Sequence, residues 1–329
     1  LKIVGLDFNK TNYTFKILFD NRKIRTKNLY DPCAYPKAQK NLIEINGAKK
    51  ANIRDGISIT KFLYWLKNNN HFNKTDEIKA SKHLYKLRKK NNLFYSLSFE
   101  TISAVNSNAA LPHYRTTKKT NQYFKKNSIY LVDSGAQYYD GTTDITRTII
   151  LGKANKEQKD RYTRVLKGHI ALANANFNEN INTTKLDKLA RKSLNEIKCD
   201  YDHGTGHGVG SFLNVHEGPQ RITKFFNNSP LKIGMILSNE PGYYKNKKYG
   251  IRTENLIIVC KKNNSKIAFE TISFAPFDID LIEIKMLDTQ EIQWINNYHS
   301  KVYKLISFKL NNKEKQWLKN VTKPLIISK

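Results

Sequence analysis

The chain has 329 residues, 39% apolar and 11% aromatic, which is enough for one large domain or two ordinary ones and too hydrophobic for a disordered or fibrous protein. Lys and Arg number 57 against 28 Asp and Glu, a formal charge of +29. The lysines are scattered, often beside asparagines (Lys67 to Asn70, Lys89 to Asn92, Lys245 to Lys248), so they read as a solvated basic surface and not as a nucleic-acid stripe, and no apolar run approaches a membrane span.

Leu1 to about Tyr30 reads as short strands (Leu1-Lys2-Ile3-Val4, Phe15-Lys16-Ile17-Leu18-Phe19) that cannot bury a core unaided and look like the tail of an earlier domain. The chain begins at Leu1, and Leu1 to Lys10 shows no charged-then-apolar signal pattern. From Ile43 to Leu66 the apolar positions Ile45, Ala48, Ile59, Phe62, Leu63 and Leu66 recur at helical spacing, with a soft spot at Gly56, and a second helix is expected near Ile78 to Lys90. Strand character runs from Phe99 to Leu151. Helical periodicity returns over Lys156 to Ala175 and Leu186 to Ile197, strands resume from Val209 to Val259, and Thr289 to Ile306 is helical again. That last helix carries Trp294, Ile295, Tyr298, Val302 and Ile306, a face suited to a core or an oligomer contact. The three cysteines, Cys33, Cys199 and Cys260, are far apart with no CxxC spacing, which predicts reduced thiols and a cytoplasmic protein.

Two hairpin-like segments each place a pair of carboxylates on neighbouring arms: Asp133 and Asp144, eleven residues apart, and Glu240 and Glu254, fourteen apart. In the first, an apolar strand ends at Asp133, another begins at Asp144, and Tyr139-Asp140-Gly141 between them is turn chemistry. A tight Asp140-Gly141 turn would set Gln137 opposite Asp144 and leave Asp133 about 13 Å away at ~3.3 Å per residue, too far to share a metal, so a bulge or wider loop is expected. Asp202-His203-Gly204-Thr205-Gly206-His207-Gly208-Val209-Gly210 alternates glycine with functional residues. It predicts an extended segment that presents imidazoles. A dinucleotide loop is excluded, since Ser211 follows Gly210 and no helix pattern opens there. Singly, each of these acids and histidines has a bland reading as a turn carboxylate or a core imidazole. Together Asp133, Asp144, His207, Glu240 and Glu254 match two divalent cations in charge, and the oxygen-rich set favours Mn²⁺, with cobalt or zinc able to substitute. Two such ions hold a bridging water as hydroxide against a peptide carbonyl, which makes the reaction metal-assisted hydrolysis.

At these residues the chain resembles aminopeptidase P, the Xaa-Pro aminopeptidases of the eukaryotic three-domain type, which are pita-bread metallopeptidases related to prolidase and methionine aminopeptidase. Leu131 to Gln137 with Asp140 to Thr148 looks like the family's first metal block, His203 to Gln220 its histidine block, and Asn239 to Tyr244 with Gly250 to Asn255 its glutamate blocks. The resemblance implies an α+β fold with pseudo-two-fold halves around a curved antiparallel sheet. It implies that Asp133, Asp144, His207, Glu240 and Glu254 are the ligands of two metal ions, with Asp144 and Glu254 bridging. It further implies that His113, His203 and His216 line the substrate and proline pocket, that Glu240 shuttles the proton, and that Arg252 pairs with Asp133 behind the metals.

Hydroxide attack on the carbonyl before proline is the activity so implied, on peptides with proline second, by a homodimer formed through the C-terminal region, with no nucleic-acid or membrane partner. Residues 1–40 are then a remnant of a preceding domain and linker, 41–285 the catalytic domain and 286–329 a helical extension. A dipeptide-restricted prolidase, an N-terminally truncated member of little activity and a non-catalytic binding module are the other readings. Asn106 to His113 departs from the family's glycine-containing version, although His113 keeps its place twenty residues before Asp133.

Overall fold

The structure, a computed structural model, describes residues 3–69, 71–178, 181–226, 229–262 and 266–326. At the N-terminus β1 (Ile3–Leu6), α1 (Tyr13–Asn21) and β2 (Arg25–Asn28) make a βαβ unit with the two strands parallel. Phe15 to Phe19, expected as a strand, is inside α1. Phe15, Leu18 and Phe19 recur at helical spacing, and the Asn12 side chain caps the helix by accepting from Thr14 N–H. The helix buries none of its residues.

A short α2 (Ala34–Ala38) leads to α3 (Leu42–Asn68), which starts at a reciprocal cap between Asn41 and Glu44. Gly56 is not a soft spot in that helix. A Cβ there would stand 2.2 Å from the Phe274 carbonyl, so the glycine lets α3 lie against the chain that returns from the second half. After α4 (Glu77–Lys89) come β3 (Phe94–Leu97), β4 (Ile102–Val105), β5 (Ser128–Ser134), β6 (Ala136–Tyr138), β7 (Gly141–Thr142) and β8 (Ile145–Leu151).

The second half repeats the order of helices and then hairpin. It runs through α5 (Lys156–Ala173), β9 (Asn176–Phe177), α6 (Thr183–Asn195), β10 (Gly206–His207), β11 (Arg221–Ile222), β12 (Ile236–Asn239), β13 (Gly242–Lys245), β14 (Tyr249–Arg252), β15 (Asn255–Lys261) and β16 (Ile267–Thr271). The helices α7 (Thr289–Ile306) and α8 (Asn312–Val321) close the chain. Strands were expected throughout Val209 to Val259. Instead much of 208–226 and 229–235 is irregular, because its glycines and prolines spend backbone groups on turns and close approaches. The helix α8 falls in the stretch 286–329 expected to be helical, although the sequence reading gives it no periodicity of its own.

The sheets order as β4-β5-β8, β3-β6-β7, β12-β15-β16-β9 and the pairs β13-β14, β10-β11 and β1-β2, all antiparallel but the last. One core cluster joins Ile129, Ile150, Tyr162, Val165 and Leu166 to Ile292, Ile295, Tyr298, Val302 and Ile306 of α7. The helical end therefore packs into the same interior as both hairpin-bearing halves. This is the pita-bread arrangement, an α+β fold with two similar halves.

Candidate metal centre

The first hairpin runs without a bulge, which corrects the expectation. Tyr139 and Asp140 form the turn, Tyr138 pairs with Gly141 and Gln137 with Thr142. The same register continues to Ser134 with Ile145 and Asp133 with Thr146. Asp144 thus lies diagonally across from Asp133 on one face, near enough for the two carboxyls to repel each other. Gly141 is kept out of the turn by tertiary packing, since a Cβ there would stand 2.9 Å from the Cα of Ala48 in α3. The strands change sheets at Gly135, where a Cβ would meet the Thr143 carbonyl at 1.9 Å.

The second hairpin has the same design. Asn239 pairs with Asn255, the ladder breaks at Glu240 and Pro241, and it resumes in register with Gly242 opposite Arg252. Glu240 and Glu254 therefore stand across from each other. Glu254 N–H donates to the Thr146 carbonyl (3.2 Å), which joins the two hairpins beside their acids. His207 enters from β10, held against β12 by its own N–H to Ser238 Oγ at 3.0 Å. Gly206 permits that contact, because a Cβ would meet the Ser238 carbonyl at 2.3 Å.

Asp144, His207 and Glu254 offer ligand atoms that all lie within 4.8 Å of one another. His207 Nδ1 donates to the Gly208 carbonyl (3.0 Å), which leaves Nε2 as the free lone pair, 3.5 Å from Asp144 Oδ2 and 3.6 Å from Glu240 Oε1. Asp133 sits beside this group with Oδ2 taken by Arg252 Nη2 at 2.6 Å. Burial first, and then the neighbouring acids, push the Asp144 and Glu254 carboxyls well above the ordinary range. Burial also raises Glu240, with His207 and Arg252 opposing. Asp133 Oδ1 and Asp144 Oδ1 are buried with no hydrogen-bond partner among the described residues. Buried carboxylate oxygens are rarely left unpaired, and cations of charge two fit this donor set.

The supporting histidines divide. His203 is tied into the scaffold: Arg252 Nη1 donates to Tyr244 Oη (2.5 Å), Tyr244 Oη lies 2.8 Å from His203 Nε2, and His203 Nδ1 donates to the Gly204 carbonyl (2.8 Å). Burial and the Arg252 charge hold its pKa at about 3, so the ring is neutral. His216 packs edge-on to His207 with ring centroids 4.1 Å apart. Partial burial there, followed by the neighbouring His207, lowers its pKa to about 4. His113 is exposed and near enough to act electrostatically on both His203 and His216.

Sequence reasoning missed several residues that aim these side chains. Thr146 Oγ1 donates to Glu254 Oε2 (2.7 Å), and Ser238 Oγ donates to Glu240 Oε1 (3.2 Å). Strand alternation would have found both, since each lies two residues from an acid on the same face. Two helix residues grip the kinks from behind. Arg88 of α4, paired with Asp55, reaches the Ser134 carbonyl (3.2 Å), and His169 of α5 bonds the Asn239 carbonyl (3.1 Å) and Asn255 Nδ2 (3.1 Å). Fully buried Arg147 donates to the Glu254 carbonyl (2.7 Å) and to Tyr298 Oη (2.8 Å).

Comparison with known proteins matches residues 46–261 to metallopeptidase family M24 and residues 266–325 to the C-terminal region of peptidase M24. The chain belongs to metallopeptidase family M24. It is 40% identical over 327 residues to aminopeptidase P1 of Arabidopsis thaliana, covering 90% of this chain and 51% of that protein. With Xaa-Pro aminopeptidase 1 of Dictyostelium discoideum the identity is 44% over 311 residues, 90% of this chain and 49% of that protein. An X-prolyl aminopeptidase from Caenorhabditis elegans, described as a cytosolic enzyme with a di-nuclear active site, superposes with a TM-score of 0.90 at 35% identity, over 98% of this chain and 54% of its own. Prolidase from Pyrococcus furiosus, another pita-bread M24 enzyme, superposes at 0.71 with 25% identity over 83% and 76%. The chain spans about half the length of the curated relatives it matches.

Proposed function

We propose that this M24 chain is the catalytic part of an Xaa-Pro aminopeptidase, with residues 41–285 as its catalytic domain, 286–329 as a helical extension and 1–40 as the join to a preceding domain. Asp133, Asp144, His207, Glu240 and Glu254 would hold two divalent cations, which when bound supply an activated water and Lewis-acid polarisation of the scissile carbonyl. The oxygen-rich donors make Mn²⁺ the metal of this proposal. Glu240, which accepts from Ser238 and lies 3.6 Å from His207 Nε2, would move the proton in this reading. Arg252 holds Asp133, and His113 and His216 line the open side where substrate enters. The enzyme is proposed to act in the cytoplasm as a homodimer.

Proline explains the specialisation. Its amide has no N–H and a fixed φ, so proteases that bind extended strands lose a hydrogen bond there. The observation that carries this reading is the convergence of Asp144, His207 and Glu254 within 4.8 Å. The test is Mn²⁺-dependent hydrolysis of an Xaa-Pro-Yaa tripeptide beside His207→Ala. Cleavage by the parent chain and a loss of at least about 100-fold in the variant are expected. Equal rates remove the site. Cleavage of Xaa-Pro dipeptides with the tripeptide intact would make the protein a prolidase instead.

A further inference from the structure

The hairpin face that carries Asp133 and Asp144 continues through Gln137 and Thr142 and ends at an aromatic cluster. Tyr95 of β3, Tyr139 in the turn and Phe212 in the loop after β10 meet with ring centroids 5.6, 5.4 and 5.3 Å apart. Tyr95 is 61% exposed and Tyr139 60%, and Leu213 beside them is 48% exposed. An isolated exposed tyrosine requires no explanation, whereas rings gathered from three separate segments form a patch of the kind that contacts a ligand.

The cluster is also built firmly. Phe212 holds φ at +54°, a left-handed backbone that a bulky residue adopts only when its surroundings impose it. The constraint is visible next door: Gln137 Nε2 donates to the Leu213 carbonyl (2.6 Å), and Leu213 N–H donates to Thr142 Oγ1 (3.2 Å). Tyr139 N–H donates to the Leu93 carbonyl (3.0 Å). Rings fixed in this way give up little conformational entropy when something stacks on them.

We propose that this platform binds the downstream part of the peptide substrate, accepting apolar, aromatic or prolyl side chains about four residues beyond the scissile bond. In the register of the hairpin Tyr139 stands opposite Asp140 and Asp144 opposite Gly135, so four strand positions separate the platform from Asp144, about 13 Å at ~3.3 Å per residue, and an extended peptide leaving the metal site covers that distance in the same number of residues. Continuity with the ligand-bearing face is what selects substrate over a second copy of the chain as the occupant. The inference rests on the aminopeptidase reading and makes the enzyme selective for peptide length.

Two octapeptides sharing their first three residues, Ala-Pro-Ala, test it, one with Phe and the other with Ser at positions five and six. On Mn²⁺-loaded protein the kcat/KM ratio of the Phe to the Ser peptide is expected at about tenfold, carried by KM, and to fall toward one in Tyr95→Ser/Tyr139→Ser. Both side chains are exposed, so the fold tolerates the change. A second readout is anisotropy of the fluorescent Phe octapeptide on metal-free protein, where the double variant is expected to raise Kd about tenfold. A wild-type ratio near one, or a ratio the variant leaves unchanged, overturns the proposal. So does a variant that loses self-association in sedimentation while keeping the ratio. If no peptide is cleaved at all, the aminopeptidase reading fails and the anisotropy decides the platform alone: equal Kd values refute it, and weaker binding by the variant supports it.

Discussion

Four carboxylates gathered at one site repel each other, and within the protein itself Arg252 opposes part of that repulsion at Asp144 and Glu240. Burial works against its charge, yet Tyr244, Asp133, Glu240 and Glu254 outweigh burial and hold it protonated. Replacing it leaves Asp133 buried without its 2.6 Å partner. Arg252→Met is expected to destabilise the metal-free protein by about 3 kcal/mol in chemical denaturation, because breaking a buried pair strands the remaining charge. Arg252→Lys should recover only part of that, since an ammonium cannot fork to Asp133 and Tyr244 Oη together. Full recovery by lysine would mean that charge alone matters here and the hydrogen-bond geometry does not. Thr146 is a subtler case. Thr146→Val keeps the shape and removes the 2.7 Å donor to Glu254, so a tenfold loss of metal affinity by calorimetric titration is expected with little change in the fold.

The hairpins show which features were legible in the sequence and which were not. Each acid ends or begins a short apolar run, so alternation alone placed Asp133, Asp144, Glu240 and Glu254 on strand margins. The turn was misplaced by one residue. Asp140-Gly141 has the strongest local turn propensity, but the actual turn is set by the packing of Gly141 on Ala48, a contact no local pattern encodes. Arg88, His169 and Arg147 were invisible for the same reason, since they reach the kinks across 46, 70 and 107 residues of chain. The helix α3 was legible because its cap and its apolar spacing are both local. The kink at Gly135 supplies the element-scale prediction. Gly135→Ala drives a Cβ to within 1.9 Å of the Thr143 carbonyl and 2.3 Å of Ser98 Oγ, and the hairpin must open to relieve it. A loss of more than about 2 kcal/mol is expected, together with weaker metal binding because Asp133 and Asp144 part. Unaltered metal affinity in a folded Gly135→Ala protein would show that the kink does not set their spacing.

At the scale of the whole molecule the two ends behave oppositely. α1 buries none of its residues, whereas Tyr298 of α7 sits in the main core and accepts from Arg147, which in turn holds the Glu254 carbonyl. Deleting residues 1–31 is expected to shift Tm by less than about 2 °C, and deleting everything after 285 to abolish cooperative unfolding. The metal centre couples to global stability through protons. With metal absent, the folded protein holds Asp144, Glu240 and Glu254 protonated to a higher pH than the unfolded chain does. Above the ordinary carboxylate range of about 4, the folded state therefore binds more protons than the unfolded state. Stability falls as pH rises through that window. His169 and His299, kept neutral at about 3 by burial, act in the other direction, losing stability as pH drops below about 6.5. Comparing metal-loaded with metal-free protein at each pH cancels the contribution of these two histidines, since neither ring is a proposed ligand. Cations that hold the acids ionised remove the carboxylate penalty. The Tm gain on adding Mn²⁺ should then grow from pH 5 to pH 7, and calorimetry in buffers of different ionisation enthalpy should register protons released on binding. A gain that stays flat across this range, with no proton release, would mean that cations are not held by these carboxylates.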